Sequence, residues 1–439
     1  MLGDFLGLDY KLKFTDDAID YTFDINGKKL VIKESFLWKQ SQDTSTYLHS
    51  KNIPQAITYL KGNQFTSEAD LPILYGTDSF IKSADTIDCA LDIFASSFFM
   101  LTRWEEFVLQ DRDQHNRFPA KASLAYKNDF HRRPIVNEYT EFLWNMLQFL
   151  GVSEQRKTKQ YSFTVTHDVD SPIYWKDFSV KSFIKDSLRI LLKPNRKVNS
   201  WLLLNKVKSL FSYRKDLFFT FDFIMSQSEK KRIKSHFFFM SGGKTRFDNR
   251  YKIVDAYIKQ LIREIEERGH LIGIHPSYDA YNDKDQMQLE IDALQEVAAE
   301  EILTGREHYL RFEVPKTWQL WNKSGMKWDS TMGYAEEVGF RAGTCYTYPV
   351  FDILDRKELQ LKEKPLIAME VSLYTYLNLN FEDIKKTMRD LVKKVQKYNG
   401  EFVFLWHNSH FFNGENISQR KKEYIELLEL CTTENKSDV

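Results

Sequence analysis

The sequence predicts an α/β protein in which a smaller mixed α/β domain precedes a larger domain of alternating strands and helices. From about residue 160 onward, short apolar segments alternate with amphipathic helical segments, as in "SHFFFMS", "DAYIKQLIREIEERGH" and "LIGIHPS". This alternation predicts parallel strands, and in such folds the functional residues lie at the carboxyl ends of the strands. The residues before that point follow a different pattern. A chain of 439 residues is also long for one domain. We place the boundary in the polar segment "SEQRKTKQ", which gives domains at residues 1–155 and 160–439.

The N-terminal domain contains one hairpin signal and two helix signals. "YTFDINGKKLVIKESF" alternates around Asn26-Gly27 and predicts a β-hairpin. Apolar residues at helical spacing predict a helix from Asp88 to Val108. "RPIVNEYTEFLWNMLQFLG" predicts a second helix that ends at Gly151. These patterns predict no role for the domain.

Composition gives general expectations about partners and location. Lys plus Arg and Asp plus Glu are both 62, so the net charge of zero gives no reason to expect nucleic acid. The three cysteines, Cys89, Cys345 and Cys431, are far apart and fit a reducing compartment. The N-terminus lacks the pattern of a secretory signal, and no run of 18 apolar residues occurs. We therefore expect a cytoplasmic protein, and the sequence predicts no oligomeric state.

A basic segment at residues 176–215 interrupts the alternation of strands and helices. Asp177 and Asp186 are its acidic residues, and apolar residues are interleaved with its basic ones. The simpler interpretation is a helical insertion that covers the sheet with a solvated basic face. The alternative is peripheral contact with a membrane, such as the inner membrane, or with a partner. The basic residues are Lys176, Lys181, Lys185, Arg189, Lys193, Arg196, Lys197, Lys206, Lys208, Arg214 and Lys215.

Two carboxylates stand at the end of the first predicted strand of the larger domain. In "YSFTVTHDVD", Asp168 and Asp170 are two residues apart and so point to the same face of the strand. One carboxylate can bind a metal while the other accepts a proton from water. The alternative is a strand-end turn with a capping aspartate, because a bare Asp-x-Asp is common on surfaces.

Histidines flank a later predicted strand, in "GHLIGIHPSYD". His270 and His275 are five residues apart, which places them on opposite faces of the strand. His275 is at the carboxyl end and is the better candidate ligand, whereas His270 suits a structural role. A neutral imidazole with one or two carboxylates suits Zn, Co, Mn or Fe.

Two further strand ends carry residues that could take part in catalysis. In "EHYLRF", which we predict as a strand, Arg311 could hold Asp168 ionised, although a surface salt bridge is the usual role for such an arginine. In "EFVFLWHN", His407 follows an apolar strand. It could be a satisfied core histidine or the general acid that protonates a leaving amine.

Taken in order, these motifs resemble the polysaccharide deacetylase superfamily of NodB-type carbohydrate esterases (family four). The resemblance covers about Tyr161 to Phe412, in "THDVD", "GHLIGIH", "RFEVP" and "LWHN". Phrases such as "RFPAKASLAYKNDF" and "FRAGTC" also resemble a Bacteroidetes-like subgroup with an extra N-terminal domain. The resemblance implies a distorted (β/α) barrel and one divalent metal ion, with Zn first and Co, Mn or Fe as alternatives. It also implies that Asp329 or Glu370, of which we favour Glu370, orients His407.

The sequence departs from the family pattern at one ligand. The family usually has a second histidine four residues after the first, but here Asp279 occupies that position. Asp279 could replace the histidine, a histidine from another loop such as His308 or His410 could complete the site, or the metal could be weak or absent. We favour the first and predict a metal site of Asp170, His275 and Asp279. Pro276 could redirect the chain and break the turn that the family motif needs.

The resemblance implies hydrolysis of an N-acetyl group on a sugar or polysaccharide in bacterial surface-glycan metabolism. Asp168 would act as base, Arg311 would hold it ionised, and His407 would act as acid beside Glu370. We predict substrate-binding roles for Trp318, Tyr346 and Trp406. One rival is an amidase for a non-sugar substrate, and another is a metal-free glycan-binding protein.

Overall fold

The structure is a computed structural model that describes residues 1–13, 19–36, 47–175, 184–185, 187–188, 190, 196–248, 251–412 and 417–433. Within the predicted insertion, residues 176–183, 186, 189 and 191–195 lie outside the described residues. The N-terminal part holds a four-stranded sheet in the order β1-β2-β6-β5, and β3 pairs separately with β4. These strands are β1 (Tyr21–Ile25), β2 (Lys28–Ile32), β3 (Thr58–Lys61), β4 (Asp70–Ile73), β5 (Gly76–Lys82) and β6 (Thr86–Leu91).

The predicted hairpin is confirmed. Strands β1 and β2 pair in antiparallel register from Tyr21↔Ile32 to Ile25↔Lys28. The two loop residues, Asn26 and Gly27, both have positive φ, at 50° and 86°. Positive φ at both central residues matches the turn whose twist suits two-residue hairpins, which explains the Asn-Gly pair.

Among the described residues, four α-helices complete the N-terminal part, and the first of them begins later than predicted. Residues 86–91 form strand β6 rather than the start of a helix. The helix begins only after Asp92, whose Oδ1 accepts a hydrogen bond from the Ala95 amide at 2.9 Å and caps the helix. The predicted second helix, ending before Gly151, is confirmed. The helices are α1 (Ile93–Thr102), α2 (Trp104–Val108), α3 (Leu124–Lys127) and α4 (Ile135–Phe149).

The larger part is a mixed α/β unit around a nine-stranded sheet in the order β12-β13-β11-β10-β9-β8-β7-β15-β14. Its strands are β7 (Ser162–Val169), β8 (Ser235–Phe239), β9 (Leu271–Ile274), β10 (Thr304–Gly305), β11 (Trp328–Asp329), β12 (Tyr348–Asp352), β13 (Lys357–Glu363), β14 (Ala368–Met369) and β15 (Glu401–Leu405). Its helices are α5 (Arg196–Phe211), α6 (Phe221–Lys230), α7 (Ala256–Glu267), α8 (Lys284–Gln295), α9 (Lys316–Lys323), α10 (Phe381–Lys397) and α11 (Ile417–Thr432).

The ladders of this sheet are parallel except for β12 with β13. Strand β7 lies between β8 and β15, so the carboxyl ends of three adjacent strands meet at one edge. Within the described residues, β12 and β14 are the edge strands. The α/β class is therefore established, whereas the distorted barrel implied by the family resemblance is not confirmed by the strand pairing.

Strand β10 is shorter and ends earlier than the sequence predicts. "EHYLRF" was expected to be a strand, but His308–Leu310 form a 3-10 helix and the strand is Thr304–Gly305. A Cβ at residue 305 would collide with the backbone carbonyl of Ile274 on β9, so only glycine permits this close pairing. The strand ends immediately before Arg306, seven residues before the predicted end at Phe312.

"GFRAGTC", also predicted as a strand, is a loop. Its Arg341 points into the N-terminal part and donates from Nε to Glu106 Oε1 at 2.9 Å, with both side chains buried. Phe5 likewise packs edge-on against Tyr346, with ring centroids 5.0 Å apart. The N-terminal part therefore packs against the large sheet unit, while the domain boundary near residues 155–160 stays a prediction. Across the described ranges, no helix is both long and apolar enough to cross a membrane.

Candidate active site

The candidate site is built at the carboxyl edge of the large sheet. Five of the parallel strands that end there are followed by, or end in, a site residue that can bind a metal or move a proton. Because parallel strands end at a common edge, residues more than 200 positions apart in the chain come together. The residues are Asp168 and Asp170 from β7, His275 after β9, Arg306 and His308 after β10, Glu370 after β14, and His407 after β15.

Three of these side chains form a compact cluster that could hold a metal ion. The ligand atoms of Asp170, His275 and His308 all lie within 4.8 Å of one another. His275 Nε2 is 3.2 Å from Asp170 Oδ1 and 3.0 Å from His308 Nδ1, and His308 Nδ1 is 3.6 Å from Asp170 Oδ1. Both imidazoles are buried, whereas the Asp170 side chain is 33% exposed.

The partners of the two imidazoles fix which nitrogen carries the proton. His275 Nδ1 lies 2.6 Å from the Arg306 carbonyl, and His308 Nε2 lies 2.9 Å from the Phe247 carbonyl. Since a carbonyl only accepts, both of these nitrogens carry hydrogen and donate. When both rings are neutral, the other two nitrogens face each other and Asp170 Oδ1 with lone pairs.

Such a cluster is repulsive unless it takes up a cation. Asp170 Oδ1 is buried and has no hydrogen-bond donor among the described residues. A proton on His275 would relieve the repulsion. Burial lowers the pKa of His275, but the nearby carboxylates of Asp168 and Asp170 outweigh burial and raise it, which favours that proton. A divalent ion bound by all three ligand atoms would relieve the repulsion among them. The two nitrogens and one oxygen fit Zn first, and Co, Mn or Fe as alternatives.

The structure corrects the placement of Asp279 and Arg311. The Asp279 side chain is 66% exposed, and its Oδ1 accepts from Arg311 Nη1 at 2.9 Å. Arg311 also donates to the Tyr278 carbonyl and lies over the rings of Tyr278 and Tyr281. Neither residue is part of the metal cluster. Pro276 follows His275 directly, and Asp279 lies at the start of the 3-10 helix Ala280–Asn282 with its side chain exposed. His308, one of the alternatives raised from the sequence, occupies the third ligand position.

Arg306 takes the place that the sequence analysis gave to Arg311. Its Nη1 donates to Asp168 Oδ1 at 2.9 Å and to Thr166 Oγ1 at 2.8 Å. Its Nε and Nη2 donate to the carbonyl and the hydroxyl of Ser330. Arg306 is fully buried, and these bonds fix its plane. Oδ1 of Asp168 thus accepts a hydrogen bond from the Arg306 guanidinium, and Oδ2 lies 3.8 Å from His275 Nε2.

His407 and Glu370 form a second charged pair at the other side of the cluster. Glu370 Oε1 is 2.6 Å from His407 Nδ1 and accepts the His407 amide at 3.0 Å. His410 Nδ1 lies 3.2 Å from the same oxygen. Burial lowers the pKa of His407, but Glu370 outweighs it and raises the pKa to about 10. His407 Nε2 is 3.8 Å from Asp170 Oδ2, so the free end of the ring faces the cluster.

Asp329, the other acid considered for orienting His407, has different partners. Its Oδ1 accepts from the amide and the hydroxyl of Thr331, at 3.1 and 2.5 Å. It is fully buried on β11, opposite Glu363 on β13. Glu370 is therefore the acid in contact with His407.

The three aromatic residues predicted to bind substrate are core residues instead. Trp318 and Trp406 are fully buried, and Tyr346 is 7% exposed. Trp318 Nε1 donates to Glu363 at 2.9 Å, and the Tyr346 hydroxyl donates to the Tyr398 carbonyl at 2.6 Å. Their rings are buried in the protein core, so they are unavailable to a ligand.

A different set of rings lies beside the cluster, which we call the aromatic wall: His115, Phe247, Tyr278 and Tyr309. All four are partly exposed. Phe247 stacks on Tyr278 at 4.4 Å between centroids, and His115 lies 4.6 Å from Tyr309. The Tyr309 ring contacts the candidate ligand His308 at 4.6 Å. His115 comes from the N-terminal part, and its Nδ1 is 3.0 Å from the Tyr278 hydroxyl.

Sequence patterns could have pointed to part of what was missed. Arg306 and His308 follow Gly305 and are two residues apart. Asp168 and Asp170, at the end of β7, have the same spacing. A predicted strand that ended at Gly305 would have placed Arg306 and His308 at the sheet edge. The aromatic wall had no such signal, because His115 lies in a polar loop far along the chain from the other three residues.

Comparison with known proteins gives one family match, over the N-terminal part, and a distant structural likeness. Residues 1–152 match a family model described as a family of unknown function, DUF7033. No curated protein matches. Among solved structures, a crystal structure described as a "putative polysaccharide deacetylase" from Mycobacterium smegmatis is similar at 15% identity and a TM-score of 0.41, covering 64% of this chain and 86% of that chain. A likeness at this level supports neither fold nor function, so both rest on the residues of this chain.

Proposed function

We propose that this chain is a metal-dependent hydrolase of amide bonds. One observation carries the proposal: Asp170, His275 and His308 converge between a carboxylate held by a buried arginine and a histidine held by a buried glutamate. A metal set flanked by a candidate base and a candidate acid is the arrangement that metal-assisted hydrolysis needs. Within that class, we propose the removal of an N-acetyl group from a sugar or polysaccharide, which the resemblance of the motifs to polysaccharide deacetylases supports.

A divalent ion held by Asp170, His275 and His308 would polarise the amide carbonyl and acidify a water molecule. Asp168 is the residue placed to accept the proton of that water, since its Oδ2 faces the cluster. Arg306 donates a hydrogen bond to the other carboxylate oxygen and so orients Asp168. Asp168 therefore has a fixed orientation and one oxygen available.

His407 is placed to donate a proton to the departing nitrogen. Glu370 binds its Nδ1, so the proton to be donated is on Nε2, the end that faces the cluster. Water adds to the carbonyl carbon, the carbon–nitrogen bond breaks, and the nitrogen gains the proton from His407. The products are acetate and a free amine.

The aromatic wall supports a sugar as the substrate. Carbohydrate rings have apolar faces, and partly exposed aromatic rings next to the reacting groups offer a flat surface for them. Tyr309 adjoins His308, so a sugar on the wall would lie beside the candidate metal centre.

Acetate release separates this proposal from its rivals. We expect the protein, loaded with Zn, Co or Mn, to release acetate from N-acetylglucosamine oligomers and not to open small cyclic amides. His275→Ala is the control and should be inactive. Hydrolysis of cyclic amides alone would replace the sugar proposal with a non-sugar amidase, and sugar binding without turnover at any metal would indicate a glycan-binding protein.

Replacing Glu370 with glutamine should slow turnover and change its pH dependence. The carboxylate raises the pKa of His407 to about 10, so His407 is protonated below that pH. Loss of the charge lowers this pKa, and the alkaline limb of the pH–activity profile should move to lower pH. We expect kcat to fall by about 10²-fold near neutral pH. His410→Gln, which leaves Glu370 in place, is the control, and an unshifted alkaline limb in Glu370→Gln would contradict the role of His407.

Truncating the aromatic wall should weaken substrate binding more than it slows the reaction. Tyr278→Ala removes a ring that stacks on Phe247, and we expect KM to rise about tenfold while kcat stays within about threefold. Tyr278→Phe keeps the ring and removes only the hydroxyl bonded to His115, so its KM should stay near that of the wild type. Equal KM values for all three proteins would exclude the wall from substrate binding.

A further inference from the structure

Helix α5, in the basic insertion, has its apolar and polar faces arranged in the opposite way to an ordinary surface helix. Its inward face carries Leu202, Lys206 and Ser209, all of which are buried. Its outward face carries Leu204, Val207 and Phe211, which are 51%, 38% and 82% exposed. Surface helices normally turn their apolar stripe toward the core. An outward apolar stripe therefore needs an explanation other than packing against the described residues of this chain.

The orientation of α5 is fixed by its inward contacts. Lys206 Nζ lies 4.6 Å from the ring centroid of Trp175. Leu202 packs in a small apolar cluster with Trp175, Ile190 and Leu217. Rotating the helix to bury Phe211 would break this cluster and the cation–π contact. The outward apolar face therefore belongs to the folded protein.

The surroundings of this face are basic. Lys208 on α5 is exposed, and so are Arg214 and Lys215 just beyond it. Over residues 176–215 the sequence has eleven basic residues, named above, against Asp177 and Asp186. Arg214 pairs with Asp222 and Glu264, whereas Lys208, on α5 itself, and Lys215, four residues after Phe211, are exposed basic residues. Apolar side chains within a field of lysines and arginines are the composition of helices that lie on anionic membranes.

We infer that α5 docks this protein on the surface of an anionic lipid bilayer. Leu204, Val207 and Phe211 would enter the headgroup region while the basic residues bind lipid phosphates. A protein partner would need a groove shaped to this stripe, whereas a bilayer accepts exposed aliphatic and aromatic side chains without shape matching. This interaction is independent of the proposed hydrolysis.

The docking face is joined to the loops that carry the candidate active site. Asn408, one residue after His407, donates from Nδ2 to the Phe218 carbonyl and to the Ser171 carbonyl, each at 2.9 Å. Phe218 follows the insertion, and Ser171 follows Asp170. The docking face therefore lies close to the carboxyl edge of the sheet, and lipid binding would bring the candidate active site near the bilayer.

Vesicle sedimentation of the full chain tests the inference. We expect binding to vesicles with about one third phosphatidylglycerol, weakening at high salt, and little binding to phosphatidylcholine alone. Leu204→Gln with Phe211→Gln should lower the affinity at least about tenfold, and Lys208→Glu with Lys215→Glu should do the same. Leu289→Gln, at an exposed leucine on α8 (65% exposed), is the matched control and should bind like the wild type.

Circular dichroism and thermal melting of each variant separate loss of binding from loss of folding. Wild-type protein that sediments with neither kind of vesicle would overturn the inference, and so would folded variants of α5 that bind as tightly as the wild type. Both results are independent of whether the protein releases acetate, since no substrate is present.

Discussion

Protein purified without chelator is expected to contain about one divalent ion per chain, and His275→Ala and His308→Ala should each lose it. The reason is the cluster in which two unprotonated imidazole nitrogens and Asp170 Oδ1 face one another within 4.8 Å. Removing either imidazole leaves two ligands, which hold a divalent ion far more weakly. Asp279→Ala should keep the ion, because that side chain is exposed and paired with Arg311.

Elemental analysis of the four proteins measures this directly. Retention of the ion in His308→Ala and its loss in Asp279→Ala would restore the ligand set first predicted from the sequence. Absence of any ion in the wild type, even after incubation with Zn, Co or Mn, would argue for a glycan-binding protein without catalysis.

Asp168→Asn is expected to lower turnover by about 10³-fold while the ion stays bound. The amide keeps the shape of the side chain but cannot accept a proton, and it places a neutral group against the buried Arg306 guanidinium. Asp168 is also not among the three residues of the metal cluster. Acetate release and elemental analysis on the same preparation measure both effects.

Asp279→Asn is the matched control, because it makes the same chemical change at a carboxylate that also pairs with an arginine. It should keep nearly full activity. Full activity in Asp168→Asn would show that another group accepts the proton, and loss of the ion in that variant would show that Asp168 helps to bind it.

The sequence alone predicted the features that depend on neighbouring residues. The Asn26-Gly27 hairpin followed from local turn chemistry, since both residues adopt positive φ readily. The alternation of strands and helices predicted an α/β unit with a parallel sheet, and the polar residues after β7, β9 and β15 pointed to the sheet edge where Asp170, His275 and His407 lie. These predictions needed only periodicity and the rule that parallel strands end on one side.

The tertiary structure decided the features that depend on residues distant in sequence. Whether Arg306 or Arg311 reaches Asp168 depends on where β10 ends, and that is set by the close pairing of Gly305 with Ile274 on β9. The third ligand depends on the same strand end, which brings His308 to the cluster while Asp279 turns to solvent. A tryptophan such as Trp318 looks the same in the sequence whether it binds a sugar or fills the core. Only its burial in the folded protein distinguishes these two roles. Local pattern therefore determined the class of fold and the edge that bears the site, whereas strand register and burial, which are properties of long-range contacts, decided its residues.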